Sequence, residues 1–408
     1  MKAVVFHGVG DIRLDDVPEP TLQEPTDAVI RLTAIAICGT DLHTVRGTQS
    51  QVKPGTILGH EGVGIVEQVG SDVKGVKVGD RVVVTSSISC GQCDNCRRER
   101  YELCLKANPN GPKAASAIFG GNEATGPYNG LQAEKARIPF ADNTLVKLPD
   151  SINDDQAILL SDIFPTGYYA AEIAQIQPGN TVAVFGCGPV GLFCILCAQL
   201  FGAGRIFAVD TIPDRLEMAR NMGAEVIDYN ADDPVKIIKQ YTGQIGVDRA
   251  IDAVGVEANR PHSGLQQLKS IVTNTFAKAD NQPQSPAPEA NPQGDNWHPG
   301  DAPGQALSWA VSALAKAGTL AVIGVYPKTI EDFPLGFAMN KNLSVIGGHC
   351  PQRRYIPRLI ELVSSGAVDP LQILTKTEPF TSVIDAYKAF DEREPGWIKV
   401  KLEPVGRA

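Results

Sequence analysis

An apolar strand followed by a glycine-rich turn decides the fold, and residues 181–191 read TVAVFGCGPVG. The run TVAVF is typical of a buried strand, and the glycines after it have the spacing Gly-x-Gly-x-x-Gly. Glycine at these positions permits a tight turn, a close approach of the backbone to a pyrophosphate, and close packing of the following helix. That helix begins with its unpaired backbone N–H groups facing the phosphates. The turn residues predicted to bind a dinucleotide are Gly186, Gly188, Pro189 and Gly191.

An acidic residue, Asp210, ends the next predicted strand, Arg205–Asp210. A carboxylate in that position accepts hydrogen bonds from the ribose hydroxyls and repels a 2′-phosphate, so NAD is favoured over NADP. Arg215 is the nearby cation that would argue for NADP, and we include it among the residues expected to contact the coenzyme. A doubly wound domain that binds no nucleotide is the alternative.

Strands and helices alternate around this turn, from about residue 164 to residue 348. Such alternation is typical of a parallel doubly wound sheet, so the predicted fold class is α/β. Residues 1–163 instead contain short apolar runs separated by Gly, Pro and Asp, which indicates a separate β-rich domain. We expect residues 349–408 to pack back on that first domain.

A stretch rich in Pro, Asn and Gln interrupts the alternation at about 278–304. This composition buries little apolar area and predicts a loop or partly disordered insertion in the coenzyme domain. The stretch follows the end of a strand, and ligands bind outside the carboxyl ends of such strands. A cover over the coenzyme and a solvated linker or oligomer contact are both open interpretations.

The composition, with 43% hydrophobic and 20% charged residues, is that of an ordinary globular protein of 408 residues, which is long enough for two domains. A formal net charge of −9 argues against nucleic acid or an anionic membrane as a partner, because both need clustered Lys and Arg. The uncharged run 181–204 is divided by glycines and a proline, so we expect no membrane span. The first residues, MKAVVF, read as a strand and not as a signal peptide, so the expected location is cytoplasmic.

Four of the nine cysteines crowd into one short segment, residues 90–104. Four thiolates in such a loop can close tetrahedrally around a zinc ion and leave no open coordination position, which indicates a structural site. Two disulfides or free thiols are the first alternative, and an iron–sulfur cluster is the second. The predicted ligands are Cys90, Cys93, Cys96 and Cys104.

A second group of metal-binding residue types is spread over the first domain and comprises Cys38, His60, Glu61 and Asp162. One thiolate, one imidazole and one or two carboxylates can hold a catalytic zinc with an open position. These residues lie too far apart along the chain for spacing alone to group them.

The segment Gly59-His60-Glu61-x2-Gly64-x5-Gly70-x2-Val73 resembles the signature of the zinc-containing medium-chain alcohol dehydrogenases. The Cys38 segment, the cysteine-rich segment and the glycine-rich turn match that family in the same order. Residues 161–168, SDIFPTGY, most resemble the branch of glutathione-independent formaldehyde dehydrogenase and formaldehyde dismutase. The resemblance implies a GroES-like catalytic domain, a Rossmann coenzyme domain, two zinc ions per chain and a homodimer or homotetramer.

The resemblance also implies a role for individual residues. Cys38, His60 and Asp162 correspond to ligands of the catalytic zinc. Glu61 corresponds to a carboxylate that exchanges onto the metal, or to a buried acid that never touches it, and Asp41 to the group that orients His60. The remaining positions are Thr40, which takes the substrate proton; His43, which receives it through the coenzyme ribose at the surface; Thr166 and Val190, which press on the nicotinamide; and Lys399, which meets the pyrophosphate.

These parts together predict hydride transfer between NAD and an alcohol or an aldehyde hydrate, such as formaldehyde hydrate or a short-chain alcohol. A polyol, sugar-alcohol or threonine-type amino-acid dehydrogenase shares every motif above and is the first alternative. We expect the small residue Ser86 to line the substrate pocket. A non-catalytic binding protein on the same scaffold is the alternative of another class.

Overall fold

The computed structural model describes residues 1–49, 51–262, 296–327, 330 and 333–404. Most of the predicted insertion, residues 278–295, lies outside this range. The described residues form two compact units, one of residues 1–165, 296–298 and 349–404, and one of residues 166–262 and 299–348. We call them the catalytic unit and the coenzyme unit.

The strands and helices in chain order are as follows. The strands are β1 (Lys2–Gly8), β2 (Asp11–Asp16), β3 (Ala28–Ile37), β4 (Gly62–Val69), β5 (Arg81–Val84), β6 (Ser87–Ile88), β7 (Ala117–Ile118), β8 (Lys135–Ile138), β9 (Leu145–Lys147), β10 (Thr181–Phe185), β11 (Arg205–Asp210), β12 (Glu225–Asp228), β13 (Val247–Asp252), β14 (Leu314–Val322), β15 (Ser344–Gly347), β16 (Lys376–Pro379) and β17 (Val400–Glu403). The helices are α1 (Gly39–Arg46), α2 (Asp94–Arg97), α3 (Ala141–Thr144), α4 (Asp154–Ser161), α5 (Ile163–Ile173), α6 (Pro189–Leu200), α7 (Pro213–Asn221), α8 (Pro234–Tyr241), α9 (Gln305–Ala313), α10 (Leu335–Asn340), α11 (Gln352–Ser364) and α12 (Val383–Asp391).

A seven-stranded sheet forms the centre of the catalytic unit, in the order β16-β17-β3-β4-β5-β9, with β8 also paired to β3. Strand β3 is apolar along most of its length and nearly all of its side chains are buried, which is typical of a strand covered on both faces. The chain returns at its C-terminal end to pair β17 with β3, so that Val400 lies opposite Ile37. Residues far apart in the sequence therefore meet at the end of β3.

A six-stranded sheet forms the centre of the coenzyme unit, in the order β12-β11-β10-β13-β14-β15, and all of its pairs are parallel. The predicted α/β fold with a parallel doubly wound sheet is confirmed. The strand order reverses between β10 and β13, which is where such folds bind their ligands. Among the described residues, no helix is long and apolar enough to cross a membrane.

The glycine-rich turn between β10 and α6 needs glycine for steric reasons at two of its positions. Gly186 has a φ of 89°, in the left-handed region that side chains disfavour. A Cβ atom at Gly191 would lie 1.9 Å from the carbonyl oxygen of Gly186, so any side chain there would push the turn apart. The close packing of α6 on β10 thus depends on the glycines that the sequence motif provides.

The described end of the Pro-rich stretch contains one buried aromatic side chain, Trp297. Trp297 is only 4% exposed and belongs to the hydrophobic core of the catalytic unit. Its backbone N–H donates to Asp391 Oδ2 over 2.6 Å. One large aromatic side chain anchors this end because it buries more apolar area than the surrounding Pro and Gly residues.

Candidate functional site

Two strand ends and a break between two helices bring the candidate metal ligands together within the catalytic unit. Cys38 follows β3, and His60 and Glu61 precede β4. Because β3 and β4 pair with Ile35 opposite Gly62, these two ends are adjacent. Asp162 interrupts the chain between α4 and α5. One potential ligand atom from each of Cys38, His60, Glu61 and Asp162 lies within 4.8 Å of all the others.

His60 is held between two carboxylates and is only 6% exposed. Its Nδ1 lies 3.1 Å from Asp41 Oδ1, and its Nε2 lies 3.5 Å from Asp162 Oδ2. Burial acts to lower the pKa of His60, but the charge of Asp41 and the bond to Asp162 outweigh it and raise the pKa well above its ordinary value. A carboxylate on Nδ1 leaves Nε2 to bind a metal, which is the usual arrangement of a metal-binding histidine.

Asp41 is fixed in turn by two hydrogen bonds to one of its carboxylate oxygens. Its Oδ2 accepts hydrogen bonds from the Cys38 backbone N–H over 2.9 Å and from Gln132 Nε2 over 3.1 Å. The Tyr387 hydroxyl donates to Gln132 Oε1 over 2.7 Å and so sets the orientation of that amide. The imidazole of His60 is therefore positioned by a continuous buried network.

A fully buried ion pair lies beside the candidate ligands. Lys399 Nζ is 2.8 Å from Glu61 Oε1, 2.6 Å from Glu61 Oε2 and 3.1 Å from the carbonyl oxygen of Ile37. Burial acts to lower the pKa of Lys399, but the charge of Glu61 raises it above its ordinary value, and burial raises the pKa of Glu61. All three N–H donors of the ammonium are used in these contacts inside the catalytic unit, and a contact between Lys399 and the pyrophosphate stays a prediction.

His43 was expected at the surface, but the structure places it in the interior of the catalytic unit. It is 5% exposed, and its Nδ1 lies 3.1 Å from Thr48 Oγ1. The burial follows from the position of α1, whose last residue, Arg46, donates from Nε to Asp391 Oδ1 over 2.8 Å. Thr40 and His43 are three residues apart on α1 and share a face of it. Thr40 Oγ1 lies 3.8 Å from Cys38 Sγ.

Two residues that hold Asp162 were not identified from the sequence in that role. Ser86 donates to Asp162 Oδ1 over 2.8 Å, and Gln352 Nε2 donates to the same oxygen over 2.9 Å. Burial acts to raise the pKa of Asp162, but His60, Ser86 and Gln352 outweigh it and lower the pKa to about 2. Ser86 is thus a partner of Asp162, and its place in the substrate pocket stays a prediction. No spacing or motif points to these contacts, because Gln352 is 190 residues from Asp162.

The four sulfurs of the cysteine-rich segment surround a common point. Cys93 Sγ is 3.5 Å from Cys96 Sγ and 4.0 Å from Cys104 Sγ, and Cys90 Sγ is 4.0 Å from Cys96 Sγ. Zinc–sulfur bonds of about 2.3 Å in a tetrahedron place sulfurs roughly 3.8 Å apart, so the segment fits a zinc ion.

Backbone N–H groups point at these sulfurs and favour the thiolate form that a metal requires. Leu105 N–H donates to Cys93 Sγ over 3.4 Å, and Cys90 N–H donates to Cys104 Sγ over 3.3 Å. Burial acts to raise the pKa of Cys93, but the hydrogen bonds that it accepts from Leu105 and Cys96 outweigh it and lower the pKa to about 6. A thiol with such a pKa is mostly ionised at neutral pH, whereas burial raises the pKa of Cys96 and of Cys104.

In the coenzyme unit, Asp210 is bonded to the glycine-rich turn. Its Oδ2 accepts from the Cys187 backbone N–H over 2.7 Å, and its Oδ1 accepts from the N–H groups of Thr211 and Ile212. Arg215 lies beside the same turn, with a guanidinium nitrogen 3.7 Å from where a Cβ of Gly188 would stand. The turn therefore has an acidic and a basic residue at its edge. Val190 lies in the first turn of α6 and Thr166 in α5, and both are half-buried.

Comparison with known proteins identifies the family. Residues 24–150 match the alcohol dehydrogenase GroES-like domain, and residues 189–265 match the zinc-binding dehydrogenase family. A zinc-type alcohol dehydrogenase-like protein of Bacillus subtilis is 35% identical over 99% of this chain and 100% of its own length. Glutathione-independent formaldehyde dehydrogenase of Pseudomonas aeruginosa is 38% identical over 65% of this chain and 68% of its own. The alcohol dehydrogenase TADH from Thermus sp. ATN1 has a TM-score of 0.79 at 32% identity, covering 99% of this chain and 100% of that one.

The chain belongs to the zinc-containing medium-chain alcohol dehydrogenase family and is an oxidoreductase. The predictions of a GroES-like first domain, of an enzyme, and of zinc as a cofactor are confirmed.

Replacing Cys96 with serine tests the cysteine-rich segment as a structural zinc site. We expect the Cys96→Ser protein to lose one zinc per chain and to unfold at a lower temperature, because a structural zinc contributes directly to folding free energy. Inductively coupled plasma mass spectrometry and thermal unfolding measure both effects. Cys194→Ser, at a buried cysteine of α6, is the matched control and is expected to keep all its zinc. An unchanged zinc content in Cys96→Ser would contradict the assignment.

Proposed function

We propose that the enzyme transfers hydride between NAD and a small alcohol or aldehyde hydrate, with formaldehyde hydrate as the leading substrate. The observation that carries the proposal is the buried grouping of Cys38, His60 and Asp162, in a chain that also has the strand, glycine turn and helix of a coenzyme unit. One sulfur, one nitrogen and one oxygen donor match a catalytic zinc that keeps a position for substrate. A zinc ion there would act as a Lewis acid toward the substrate oxygen and ease loss of its proton near neutral pH.

The protein residues around this site have separate tasks in the proposed reaction. Asp41 holds the tautomer of His60, and Lys399 compensates the charge of Glu61, so that this carboxylate need not bind the metal. Thr40 offers a hydroxyl beside Cys38 and accepts the substrate proton. We place His43 next on the proton path. Because His43 is buried, the path continues to its hydrogen-bond partner Thr48, which is half-buried.

We propose NAD as the preferred coenzyme because Asp210 stands where the adenosine ribose is expected. Its carboxylate is fixed by backbone N–H groups, and Oδ2, which accepts the Cys187 N–H, has a second lone pair that can accept a ribose hydroxyl. A 2′-phosphate would face this negative charge directly. Arg215, on the other side of the turn, would contact the coenzyme phosphates or ribose.

Similarity to the formaldehyde dehydrogenase of Pseudomonas aeruginosa supports the formaldehyde substrate, since it includes an alignment of 278 residues. Hydride leaves the hydrated form of an aldehyde, which has the same C–H and O–H arrangement as an alcohol. Polyols, sugar alcohols and threonine are the competing substrates.

We further propose that the enzyme is a homodimer formed through the coenzyme unit, or a homotetramer of such dimers. Helix α10 exposes Leu335, Phe337 and Met339, and Val345 is exposed on β15, the edge strand of the sheet. Contiguous apolar side chains beside an unpaired strand edge are typical of a protein interface. Both cysteine sites need reduced thiols, which favours the cytoplasm as the location.

The decisive assay measures coenzyme reduction over formaldehyde, short primary alcohols, polyols and threonine, with NAD and NADP in parallel and zinc counted per chain. We expect two zinc ions, the highest kcat/KM with formaldehyde or a short alcohol, and a preference for NAD. Dialysis against a chelator should abolish turnover when it removes the catalytic zinc. Higher kcat/KM with a polyol or threonine would assign the enzyme to that substrate class, and equal use of NADP would refute the role of Asp210.

The proton path is tested by His43→Gln. We expect turnover to fall by up to about 100-fold, which is the lower end of the rate enhancement that a positioned acid–base group provides. The loss should be greatest at low pH, where buffer bases that could replace the path are scarce, and zinc content should not change. His7→Gln is the control, because His7 pairs with Asp15 in the same unit and away from these residues. A pH–rate profile identical to that of the unmodified enzyme would exclude His43 from the path.

A further inference from the structure

The two oxygens of the Asp162 carboxylate have different surroundings. Oδ2 lies 3.5 Å from His60 Nε2 and so faces the metal-binding group. Oδ1 points the other way and accepts hydrogen bonds from Ser86 and Gln352, over 2.8 and 2.9 Å. A carboxylate differs from the thiolate of a cysteine because it has a second donor atom, an oxygen that could also bind the metal.

Gln352 is itself fixed in one orientation. It is 5% exposed at the start of α11, and its Oε1 accepts from the Ser87 hydroxyl over 2.7 Å. Its Nε2 donates to Ser86 Oγ as well as to Asp162 Oδ1. Ser86 then donates its own proton to Asp162, so the three side chains form a closed ring of hydrogen bonds in which Gln352 donates twice and Asp162 Oδ1 accepts twice. The amide cannot turn over without losing these bonds.

We propose that Ser86 and Gln352 are positioning residues that occupy Oδ1 of Asp162 and restrict this carboxylate to binding the catalytic zinc through Oδ2 alone. If both oxygens bound, the metal would gain a ligand and lose the open position that the substrate needs. Ser86 and Gln352 thus make Asp162 bind the metal through a single atom, as a cysteine does through its sulfur. The proposal rests on the zinc site proposed above and adds the residues that determine its coordination number.

A purely structural role for the same contacts is the competing explanation, since Gln352 also attaches α11 to the rest of the catalytic unit. Arg353, the next residue of α11, provides a matched control. Its guanidinium donates to the Leu145 carbonyl oxygen over 2.9 Å and attaches the same helix without touching Asp162. Loss of either contact would loosen α11, but only loss of Gln352 would remove a hydrogen bond from Oδ1.

The first measurement is the affinity of the catalytic zinc, by chelator competition on the full-length protein, with the zinc of the cysteine-rich segment as an internal reference. We expect Gln352→Met and Ser86→Ala to weaken the catalytic zinc by about 10- to 100-fold, the usual effect of removing a partner of a metal ligand. Arg353→Met should leave it unchanged. Equal weakening in Gln352→Met and Arg353→Met would overturn the proposal in favour of the structural role.

The second measurement uses the Asp162→Cys background, in which no second oxygen exists. There we expect Gln352→Met to leave zinc affinity nearly unchanged, so the double-mutant cycle should show strong coupling between positions 162 and 352. Cobalt(II) placed in the catalytic site of Gln352→Met should also show weaker visible ligand-field bands than in the unmodified enzyme, because a fifth ligand reduces the intensity of a tetrahedral spectrum. Additive effects in the cycle together with an unchanged cobalt spectrum would refute the proposal.

Failure of the zinc site itself gives a different result. If the unmodified protein binds only the zinc of the cysteine-rich segment, the proposed function fails and the proposal about Oδ1 fails with it. If the unmodified protein binds two zinc ions and the Asp162→Cys cycle shows no coupling, only the proposal about Oδ1 fails.

Discussion

Burying ionisable side chains at the end of β3 is the constraint on which the catalytic unit depends. Cys38, His60, Glu61 and Lys399 are each no more than 6% exposed. Isolated charges in such a position would cost several kcal/mol each, so every one needs a partner. Side chains from remote segments provide these partners. The sulfur of Cys38, Nε2 of His60 and Oδ2 of Asp162 then face one another. A divalent cation is the partner that this remaining set fits best.

This constraint accounts for much of the path of the chain. Strand β17 returns to β3, and Lys399, directly before it, is thereby placed beside Glu61, from which it is 338 residues away in sequence. Helix α11 brings Gln352 to Asp162, and α12 brings Tyr387 to Gln132. The C-terminal segment contributes little to the metal ligands themselves, but it provides the groups that neutralise and orient them.

How well the sequence predicts each feature depends on how far apart along the chain the interacting residues lie. The turn at residues 186–191 and the cysteine-rich segment are local, so their spacing alone predicts strand, helix and tetrahedral sulfurs. The grouping of Cys38, His60 and Asp162 required a resemblance, because three separate segments contribute to it. The burial of His43, the pairing of Lys399 with Glu61 and the bonds of Ser86 and Gln352 to Asp162 depend on packing between distant segments, and no local pattern encodes them. The burial of Trp297 was likewise not predicted from the sequence, because this residue lies at the end of a Pro-rich stretch.

The most direct test of the central claim is zinc K-edge X-ray absorption spectroscopy of the fully loaded enzyme. The four cysteines of the cysteine-rich segment and Cys38 together provide five sulfurs for two zinc ions, with His60 and Asp162 as nitrogen and oxygen ligands. We therefore predict an average shell of two to three sulfurs per zinc at about 2.3 Å, with nitrogen and oxygen ligands at about 2.0–2.1 Å. The Cys96→Ser protein, with only the catalytic zinc, should show one sulfur and a majority of nitrogen and oxygen ligands. A shell of four sulfurs per zinc in the unmodified enzyme, with no nitrogen or oxygen ligands, would contradict the account.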